Sequence, residues 1–400
     1  MSNPPNETPA GETGPKRGFP AAEFEARLAR AQVAMAEAGM DGLLLTTEPE
    51  IRYFTGFLTR FWLSPTRPWF LLVPPAGKPV AIVPAIGREY LVATWLDDVR
   101  SWNSPQPEDE GVSLLASTMR EIFGTKARIG IPEGPETHLR MPLGDFRRLR
   151  ALLPGIEFTD ATGVIKNLRM IKSSAELEKI AHACAIVSDV FEIFPSMLAA
   201  GMSEVQIFRR FKITCLERGI DDVDYLVGGA GPGGYSDIIS PPSPRRVGAG
   251  DILMLDTGAV FDGYFCDFDR NFGFGHVSSD SEKAYAALLD ATQVGLQAAR
   301  PGATCAYVYR AMQRVLDKDF AGGSGVGRMG HGLGMQLTEW PSITPKDETI
   351  LQPGMVLTLE PSVDLGGGRM MVHEENLVVT ADGAVLLTRA APASLPVITV

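Results

Sequence analysis

Apolar residues in the first 160 positions follow two spacings in turn. Phe24, Leu28, Ala31 and Met35 recur every three or four residues, which predicts a helix over residues 21–38. Short apolar runs bounded by Gly and Pro predict strands, and amphipathic stretches between them predict further helices. The predicted strands are 42–45, 70–73, 80–83 and 127–131, and the predicted helices are 112–123 and 143–153. Alternation of strands with helices predicts an α/β domain.

The second half of the chain has longer helical stretches and separate strands. The predicted helices are 174–198, 204–218 and a pair between 281 and 318, and the predicted strands are 252–256, 356–360 and 376–380. This pattern predicts an α+β domain with helices on one face of a mostly antiparallel sheet. We therefore divide the chain into a disordered leader rich in Pro, Gly and Thr (1–20), an N-terminal domain (21–168) and a C-terminal domain (169–400).

Composition places the chain among globular proteins and argues against two classes of partner. The 400 residues are 45% hydrophobic and 21% charged, which is enough for more than one core. The net charge of -11, with no basic run interleaved with aromatic residues, argues against nucleic acid. We find neither an apolar stretch of about 18 residues nor a signal-type segment, so we expect a cytoplasmic protein without a membrane partner. The four widely spaced cysteines are expected to be reduced.

Two acidic residues interrupt apolar segments of the C-terminal domain. Asp256 ends the run 252–256, and Asp267 follows eleven positions later inside the mostly apolar segment 264–270. Taken alone, Asp256 is compatible with a capped turn or a salt bridge, because a buried carboxylate needs a partner. If the two acids face each other on adjacent hairpin strands, their repulsion requires a cation between them or a protonated carboxyl group.

Three further residues share this setting. His331 lies among glycines, which allow close approach of backbone or ligand. Glu360 ends an apolar strand, and Glu374 precedes the apolar run 377–379. Four carboxylates carry about four negative charges, which two divalent cations would neutralise, and an oxygen-rich set with one imidazole suits Mn, Co, Fe or Zn. The residues together predict a site for two divalent metal ions.

The order and spacing of these five residues resemble the ligand set of the pita-bread metallohydrolases, the family of prolidase, aminopeptidase P, methionine aminopeptidase and creatinase. The motifs are Asp256-x-Gly258, Gly263-Tyr264-x-x-Asp267-x-x-Arg270, Gly330-His331-Gly332-x-Gly334, Pro353-Gly354-Met355-Val356 through Glu360-Pro361, and Glu374 six positions before Thr380-x-Asp382-Gly383. Glu375 is the neighbour that an error of register would confuse with Glu374. Residues 51–57 and 168–173 resemble the creatinase-type N-terminal domain more faintly. The fold implied is an α/β creatinase-like domain followed by an α+β pita-bread domain.

The resemblance implies a role for each of the five residues. Asp256 and Asp267 would each contact the metals, Glu374 would bridge them, and His331 and Glu360 would complete the shell of one metal. A water held between the cations would lose its proton and attack the substrate. Glu360 would be the catalytic residue that accepts or relays a proton. The implied cofactors are two divalent ions, with manganese among the candidates.

Two positions depart from the family's peptidases, which carry two further histidines that bind substrate and steady the intermediate. The first would stand twelve positions before Asp251, where this chain has Ile239, and the second seven positions after His331, where it has Thr338. We assign Ile239 and Thr338 to the substrate-binding surface. Loss of both donors puts ordinary dipeptide hydrolysis in question, because each is expected to contribute about 2 to 4 kcal/mol. His373 is a candidate replacement, but its side chain should point to the opposite strand face.

The predicted function is metal-dependent hydrolysis of an amide or similar C–N bond in a small, carboxylate-bearing substrate, as in Xaa-Pro dipeptidases and aminopeptidases. The alternative is a metal-dependent lyase resembling the dimethylsulfoniopropionate lyase of this fold, which also lacks the two histidines. The nearest acid for the base of such a lyase is Glu339. Creatinase differs because it works without metals. A non-catalytic binding module is a third possibility, and retention of all five ligands argues against it.

A creatinase-like enzyme is also expected to be a homodimer. In such dimers a loop of the partner's first domain presents aromatic and Arg side chains to the substrate carboxylate, and the segment 60–69 stands at the corresponding place. We therefore assign Arg67 or Arg60, with Trp62, to substrate binding. The alternative is a solvated loop whose tryptophans pack on their own domain. Arg270, from the second motif, is also assigned to the substrate site.

Overall fold

The computed structural model describes residues 14–64, 67–320 and 327–399. Contacts divide the chain into the unit Gly18–Arg169 and a second unit, which starts at Met170 and includes the segment before Gly18. Of the predicted disordered leader, residues 1–13 lie outside the described residues. Residues 14–20 are described, and the Arg17 guanidinium donates two hydrogen bonds to the Asp221 carboxylate, both of 2.7 Å, which the sequence did not predict.

The unit 18–169 is built on one six-stranded sheet. Its strands are β1 (Gly42–Leu45), β2 (Phe70–Val73), β3 (Val80–Pro84), β4 (Asp98–Trp102), β5 (Ala127–Ile131) and β6 (Ile156–Asp160), in the order β4-β3-β2-β1-β5-β6. Its helices are α1 (Ala21–Glu37), α2 (Glu48–Thr55), α3 (Ala85–Val92), α4 (Val112–Phe123), α5 (Leu143–Leu152) and α6 (Thr162–Met170), with a 3-10 turn at Arg60–Leu63. Strand β2 is antiparallel to both neighbours, and the other pairs are parallel. The predicted α/β class is confirmed.

Apolar runs without alternation form the centre of this sheet. Every residue of β1, β2 and β3 is buried, which is why these strands are continuously hydrophobic in sequence. Leu44, Phe70 and Leu72 share one core with Leu115 and Met119 of α4. The two edge strands, β4 and β6, were not predicted, because they carry polar residues and bury only one position each. Edge strands need less apolar sequence than central ones.

The second unit holds four helices and two main sheets among its described residues. The helices are α7 (Ser174–Ile193), α8 (Glu204–Glu217), α9 (Ser279–Ala298) and α10 (Cys305–Leu316), with a 3-10 turn at Phe194–Met197. The strands are β7 (Asp222–Pro232), β8 (Asp251–Phe261), β9 (Tyr264–Phe265), β10 (Phe268–Phe274), β11 (His331–Gly332), β12 (Glu339–Ser342), β13 (Val356–Leu359), β14 (Ser362–Gly366), β15 (Arg369–Val372), β16 (Glu375–Val379), β17 (Ala384–Leu386) and β18 (Val397–Ile398).

The strands of this unit pair almost entirely antiparallel. One sheet has the order β18-β10-β8-β7 with β9 beside β8, the other has the order β12-β11-β13-β16-β17, and β14 pairs with β15. Helices α7 and α8 pack on the first sheet, and α9 packs on strands of the second. Ile252 and Met254 of β8 share a core with Leu288 of α9 and Met312 of α10. The α+β class is confirmed, with two main sheets where one was predicted.

One helical segment of the second unit is unusually apolar. Residues 174–197 form a helical segment of 24 residues that contains an 18-residue window with a mean hydropathy of 1.3, so by length and composition alone it is long and apolar enough to cross a membrane. This helix was predicted from the sequence but was not singled out there as a candidate membrane span. Half of that window is buried within the protein, as in the core helix of a globular unit. Ser173 caps its start, because its side chain accepts the Glu176 N–H while Glu176 accepts the Ser173 N–H.

Candidate metal centre

Residues from both sheets of the second unit line one cavity of about 310 Å³. All the predicted metal-binding residues line it, namely Asp256, Asp267, His331, Glu360 and Glu374. The predicted substrate positions Ile239 and Thr338 line it as well. Residues more than 100 positions apart in sequence therefore meet at one place.

The register between β8 and β10 determines which acids face each other. Asp256 of β8 pairs directly with Asp269 of β10, whereas Asp267 lies just before β10. Asp256 and Asp267 are thus not direct cross-strand partners, but both line the cavity, where burial and the charge of Asp256 raise the pKa of Asp267. Opposed residues in such a pair have Cβ atoms roughly 5 Å apart on one face. Asp269 also lines the cavity, and the sequence analysis did not single it out.

Asn376 of β16 fixes the main chain of Asp267. Its Oδ1 accepts a hydrogen bond of 2.8 Å from the Asp267 N–H, and its Nδ2 donates to the Asp267 carbonyl. The buried thiol of Cys184 donates to the same Oδ1 at 3.4 Å. With its backbone held in this way, Asp267 places its carboxylate at the cavity wall.

Glycines allow His331 to sit between two neighbouring strands. A Cβ on Gly330 would lie 2.2 Å from the carbonyl oxygen of Thr358, and one on Gly332 would lie 2.0 Å from that of Trp340. Gly330 also has a φ of 142°, a backbone conformation that favours glycine. The predicted close approach is thus an approach of backbone to backbone.

The imidazole of His331 is oriented for binding a cation. Its Nδ1 lies 2.8 Å from the carbonyl oxygen of Gly332, which only accepts, so Nδ1 carries the proton and Nε2 is left as an acceptor. Burial, with the charge of Arg328 next in importance, lowers the pKa of His331 to about 3. Its Nε2 lies 3.5 Å from Oδ2 of Asp267. Ligand atoms of Asp267, His331 and Glu374 all lie within 4.8 Å of one another.

Several carboxylate oxygens at this cavity are buried without a hydrogen-bond partner among the described residues. They are Asp256 Oδ1, Asp267 Oδ1, Asp269 Oδ2 and Glu374 Oε1. Burial first, and repulsion by the neighbouring carboxylates second, raise the pKa of Asp256, Asp267 and Glu374 well above the usual range. Carboxylate oxygens without hydrogen-bond partners, together with an unprotonated imidazole nitrogen, are ligand atoms that suit a divalent cation.

Glu360 and Arg328 form the more open wall. The Arg328 Nε donates to Glu360 Oε1 at 3.1 Å, and the two side chains are 32% and 19% exposed. Burial raises the pKa of Glu360 to about 7, against the opposing charge of Arg328. The Nη2 of Arg328 also lies 3.5 Å from the hydroxyl of Thr338. Arg328 therefore brings a positive charge to the cavity that the sequence analysis missed.

Two adjacent carboxylates, Glu374 just before β16 and Glu375 at its first position, have different surroundings. Glu374 has a buried, unpartnered oxygen at the cavity, whereas Glu375 pairs with Arg270 at 2.9 Å and accepts from the hydroxyl of Thr388. Despite burial, the charge of Arg270 lowers the pKa of Glu375 to about 2. The geometry thus favours Glu374, not Glu375, as the residue that faces a metal.

Arg270 does not belong to the substrate site. It is 6% exposed, and its guanidinium donates to the carbonyls of Asp269 and Glu374 as well as to Glu375. Arg270 is not among the described residues that line the cavity. The assignment of Arg270 to substrate binding is corrected: its side chain points to the strand face opposite Asp269 and holds β10 to β16.

His373 and Glu339 both contact charged side chains. His373 is 1% exposed, with Nδ1 at 3.6 Å from Asp269 Oδ1 and Nε2 at 3.4 Å from Glu375 Oε1. Glu339 forms a buried ion pair with Lys172 at 3.1 Å. Neither is among the described cavity-lining residues. His373 therefore lies away from the position where a replacement histidine would act.

The loop residues assigned to substrate binding lie in the unit 18–169. The ring of Trp62 is 5.4 Å from that of Trp69, and the guanidinium of Arg140 lies 4.9 Å over Trp62. This packing agrees with the alternative of tryptophans that pack on their own domain. The carbonyl of Arg67 accepts a hydrogen bond of 2.8 Å from Arg140. A role of Arg67 or Arg60 in a partner's site stays a prediction.

Three polar cavity residues were missed for different reasons. Asp269 stands two positions after Asp267, a spacing that puts two strand residues on one face, so the signal was present. Arg328 lies in an irregular stretch without periodicity. Tyr225 lies on β7, whose run Tyr-Leu-Val-Gly-Gly-Ala-Gly-Pro is too rich in glycine to predict a strand.

A buried set of carboxylates with one oriented imidazole, on a two-sheet α+β unit that follows an α/β unit, defines a metal-dependent hydrolase with a creatinase-type first domain. Comparison with known families agrees. The Metallopeptidase family M24 matches residues 178–381, and the Creatinase/Prolidase N-terminal domain matches residues 27–171. The chain belongs to metallopeptidase family M24. The predictions of the family, of the fold and of a metallohydrolase are confirmed.

Relatives with similar sequences and structures cover nearly the whole chain. The probable dipeptidase PepE of Mycobacterium tuberculosis is 28% identical over 382 residues, which cover 92% of this chain and 95% of the relative. The crystal structure of dipeptidase PepE from Mycobacterium ulcerans is 30% identical with a TM-score of 0.83, covering 96% of this chain and 100% of that one. A recombinant prolidase from Thermococcus sibiricus is 27% identical with a TM-score of 0.83, covering 94% and 99%.

Proposed function

We propose that this chain is a two-metal hydrolase that cleaves the amide bond of a small peptide-like substrate carrying a carboxylate. The observation that supports it is the convergence of buried, unpartnered carboxylate oxygens on the free nitrogen of His331. The ligands would be Asp256, Asp267, His331, Glu360 and Glu374. Bound there, two divalent ions would lower the pKa of a water and polarise the scissile carbonyl.

The chain's own groups would position the substrate and move protons. Glu360 is the carboxylate in contact with Arg328, and its partial exposure makes it the acid best placed to exchange a proton with a substrate. Apolar side chains of Met254, Leu337 and Val372 limit water at the remaining wall. Relatives called dipeptidase and prolidase support a dipeptide, and Xaa-Pro dipeptides are the first candidates.

Arg328 is our candidate for recognition of the substrate carboxylate. It is the one cation among the described residues that line the cavity, and its side chain is 32% exposed. It also contacts Thr338, the position where the family's peptidases carry a substrate histidine. A guanidinium binds a carboxylate in two parallel hydrogen bonds, which gives both strength and orientation. Arg328 would thus replace part of what the absent histidines provide.

Replacement of Arg328 by Gln is expected to raise KM for Xaa-Pro substrates by about 10- to 100-fold, the range for a lost hydrogen bond to a charged group. The same variant should lose the preference for a free acid over the C-terminal amide of the same dipeptide, measured as the ratio of kcat/KM values. Arg314→Gln, an exposed position on α10, is the matched control and should keep both values. An unchanged acid-to-amide ratio in Arg328→Gln would exclude this role.

The proposed reaction is tested with a panel of dipeptides and small carboxylates in ¹⁸O-labelled water. Hydrolysis places one labelled oxygen in the carboxyl group of the acyl product. Elimination, the reaction of the alternative lyase, places none there and forms an unsaturated product. Glu339, the nearest acid in the sequence for the base of such a lyase, is paired with Lys172 and is not among the described cavity-lining residues. Products without the label would refute the hydrolase.

Three finer proposals accompany this function. We propose manganese as the first metal to test, because the ligand set is rich in oxygen, with Co, Fe and Zn as alternatives. We also propose a cytoplasmic homodimer, to be checked by fractionation and by sedimentation. In that dimer Arg67→Ala is expected to raise KM several-fold with metal content and dimerisation unchanged. Equal Michaelis constants in Arg67→Ala and the parent would rule out a shared substrate site.

A further inference from the structure

A fifth carboxylate lies in the cavity beside the four that the sequence predicted. Asp269 is 1% exposed and pairs directly with Asp256 across the β8–β10 ladder. It lines the same cavity as Asp256, Asp267 and Glu374. An acid at this depth needs a compensating partner, because a buried carboxylate loses its hydration.

The two oxygens of Asp269 have different surroundings. Oδ1 accepts the main-chain N–H of Glu374 at 2.9 Å and lies 3.6 Å from Nδ1 of His373. Oδ2 is buried and has no hydrogen-bond partner among the described residues, like the oxygens of the predicted ligands. A role limited to holding His373 accounts for Oδ1 and leaves Oδ2 unexplained. An unsatisfied buried acceptor destabilises a protein by about 1–3 kcal/mol.

We propose that Asp269 is a further ligand of the metal centre, whose Oδ2 joins Asp256 in binding a divalent ion. This inference rests on the proposed function, because it requires a metal in the cavity. Glu374 and His373 would act as positioning residues, since contacts to Oδ1 leave Oδ2 directed at the cavity. Hydrogen bonds of this kind to a ligating carboxylate are a usual part of metal sites.

The charges at the cavity agree with this assignment. Five carboxylates oppose two divalent ions, and the guanidinium of Arg328 at the wall supplies the remaining positive charge. His331, with its free Nε2, adds no charge. A sixth ligand that is a carboxylate makes the set harder, which favours Mn²⁺ over softer ions such as Zn²⁺.

The test is a calorimetric titration with Mn²⁺ of three metal-free proteins: the parent, Asp269→Asn and Asp269→Ser. Both variants remove a buried charge, and the Asn side chain keeps the acceptor for Glu374 N–H. Mutation of a residue that only orients a metal ligand typically lowers metal affinity about 10- to 100-fold. For loss of a ligand we expect the Mn²⁺ affinity of at least one site to fall by at least that much. The d–d absorption of bound Co²⁺ should also change, because it reports the number and type of ligands. Asp382→Asn, an exposed acid in the same unit, is the matched control.

Each result has a separate meaning. Weaker Mn²⁺ binding and an altered Co²⁺ spectrum in the Asp269 variants, with Asp382→Asn unchanged, support the assignment. A parent that binds two ions, together with Asp269 variants of equal affinity and identical spectrum, overturns it and leaves the two-metal hydrolase intact. A parent that binds no divalent ion overturns both.

Discussion

Replacing Asp267 by Asn or Glu374 by Gln is expected to abolish binding of at least one metal ion per chain and to reduce hydrolysis by at least about 1000-fold. Both carboxylates carry a buried oxygen that lacks a partner at the cavity, so each variant removes a donor without filling the space. Loss of the ion would remove the activation of water and the polarisation of the carbonyl that the metal would supply. Elemental analysis of the purified variants, with kcat/KM on Xaa-Pro dipeptides, measures the two effects.

Glu375→Gln is the matched control, because it makes the same chemical change one residue away. Its partner is Arg270, not the cavity, so metal content should stay at the parental value. The variant should instead lose stability by about 3–5 kcal/mol, since the guanidinium of Arg270 is left buried without its charge partner. If Glu374→Gln keeps the parental metal content while Glu375→Gln loses metal, the register is shifted by one residue and Glu375 faces the cavity.

Removal of the divalent ions is the second change with a large expected effect. Chelation should lower the free energy of unfolding by about 4 kcal/mol when the free metal had exceeded its dissociation constant 1000-fold. The physical reason is that the buried carboxylates repel one another when no cation lies between them. Burial and this repulsion raise the pKa of Asp256, Asp267 and Glu374 in the metal-free cavity. Urea unfolding with and without chelator, followed by addition of Mn²⁺, measures the difference.

The control for chelation is the Glu374→Gln variant itself. Because it binds metal poorly and carries one charge less, its unfolding midpoint should move little when chelator is added. Full recovery of the parental midpoint on addition of Mn²⁺ shows that the chelator acts through the metal. If the parent unfolds at the same urea concentration in both conditions, the buried carboxylates are stabilised by something other than a cation.

The fold could be predicted where burial leaves one dominant pattern in the sequence. Strands β1, β2 and β5 and helix α4 have the predicted bounds, because buried strands are continuously apolar and α4 is amphipathic. The edge strands β4 and β6 and the glycine-rich β7 were missed. Their strand conformation depends on pairing with neighbours, which the local pattern does not contain.

The candidate site shows the same division. Asp256 and His331 stand inside an apolar and a glycine-rich run, and Glu374 stands three positions before an apolar run; it was the order and spacing of the whole set, not any one residue, that predicted the site. The opposition of Asp269 to Asp256 could not be predicted, because it depends on the register of β8 with β10. Arg328 lies in an irregular segment, where only tertiary structure brings a side chain to a cavity.

The run from His373 to Asn376 has a consequence for how this chain tolerates changes of length. Its four consecutive side chains meet separate partners: His373 meets Asp269, Glu374 the cavity, Glu375 the guanidinium of Arg270, and Asn376 the backbone of Asp267. Deleting one residue here would shift all four at once. The exposed turn at Gly366–Gly368 lies a few residues earlier and has no such constraint on its side chains. Natural insertions and deletions should therefore accumulate in that turn and be absent from the run that follows.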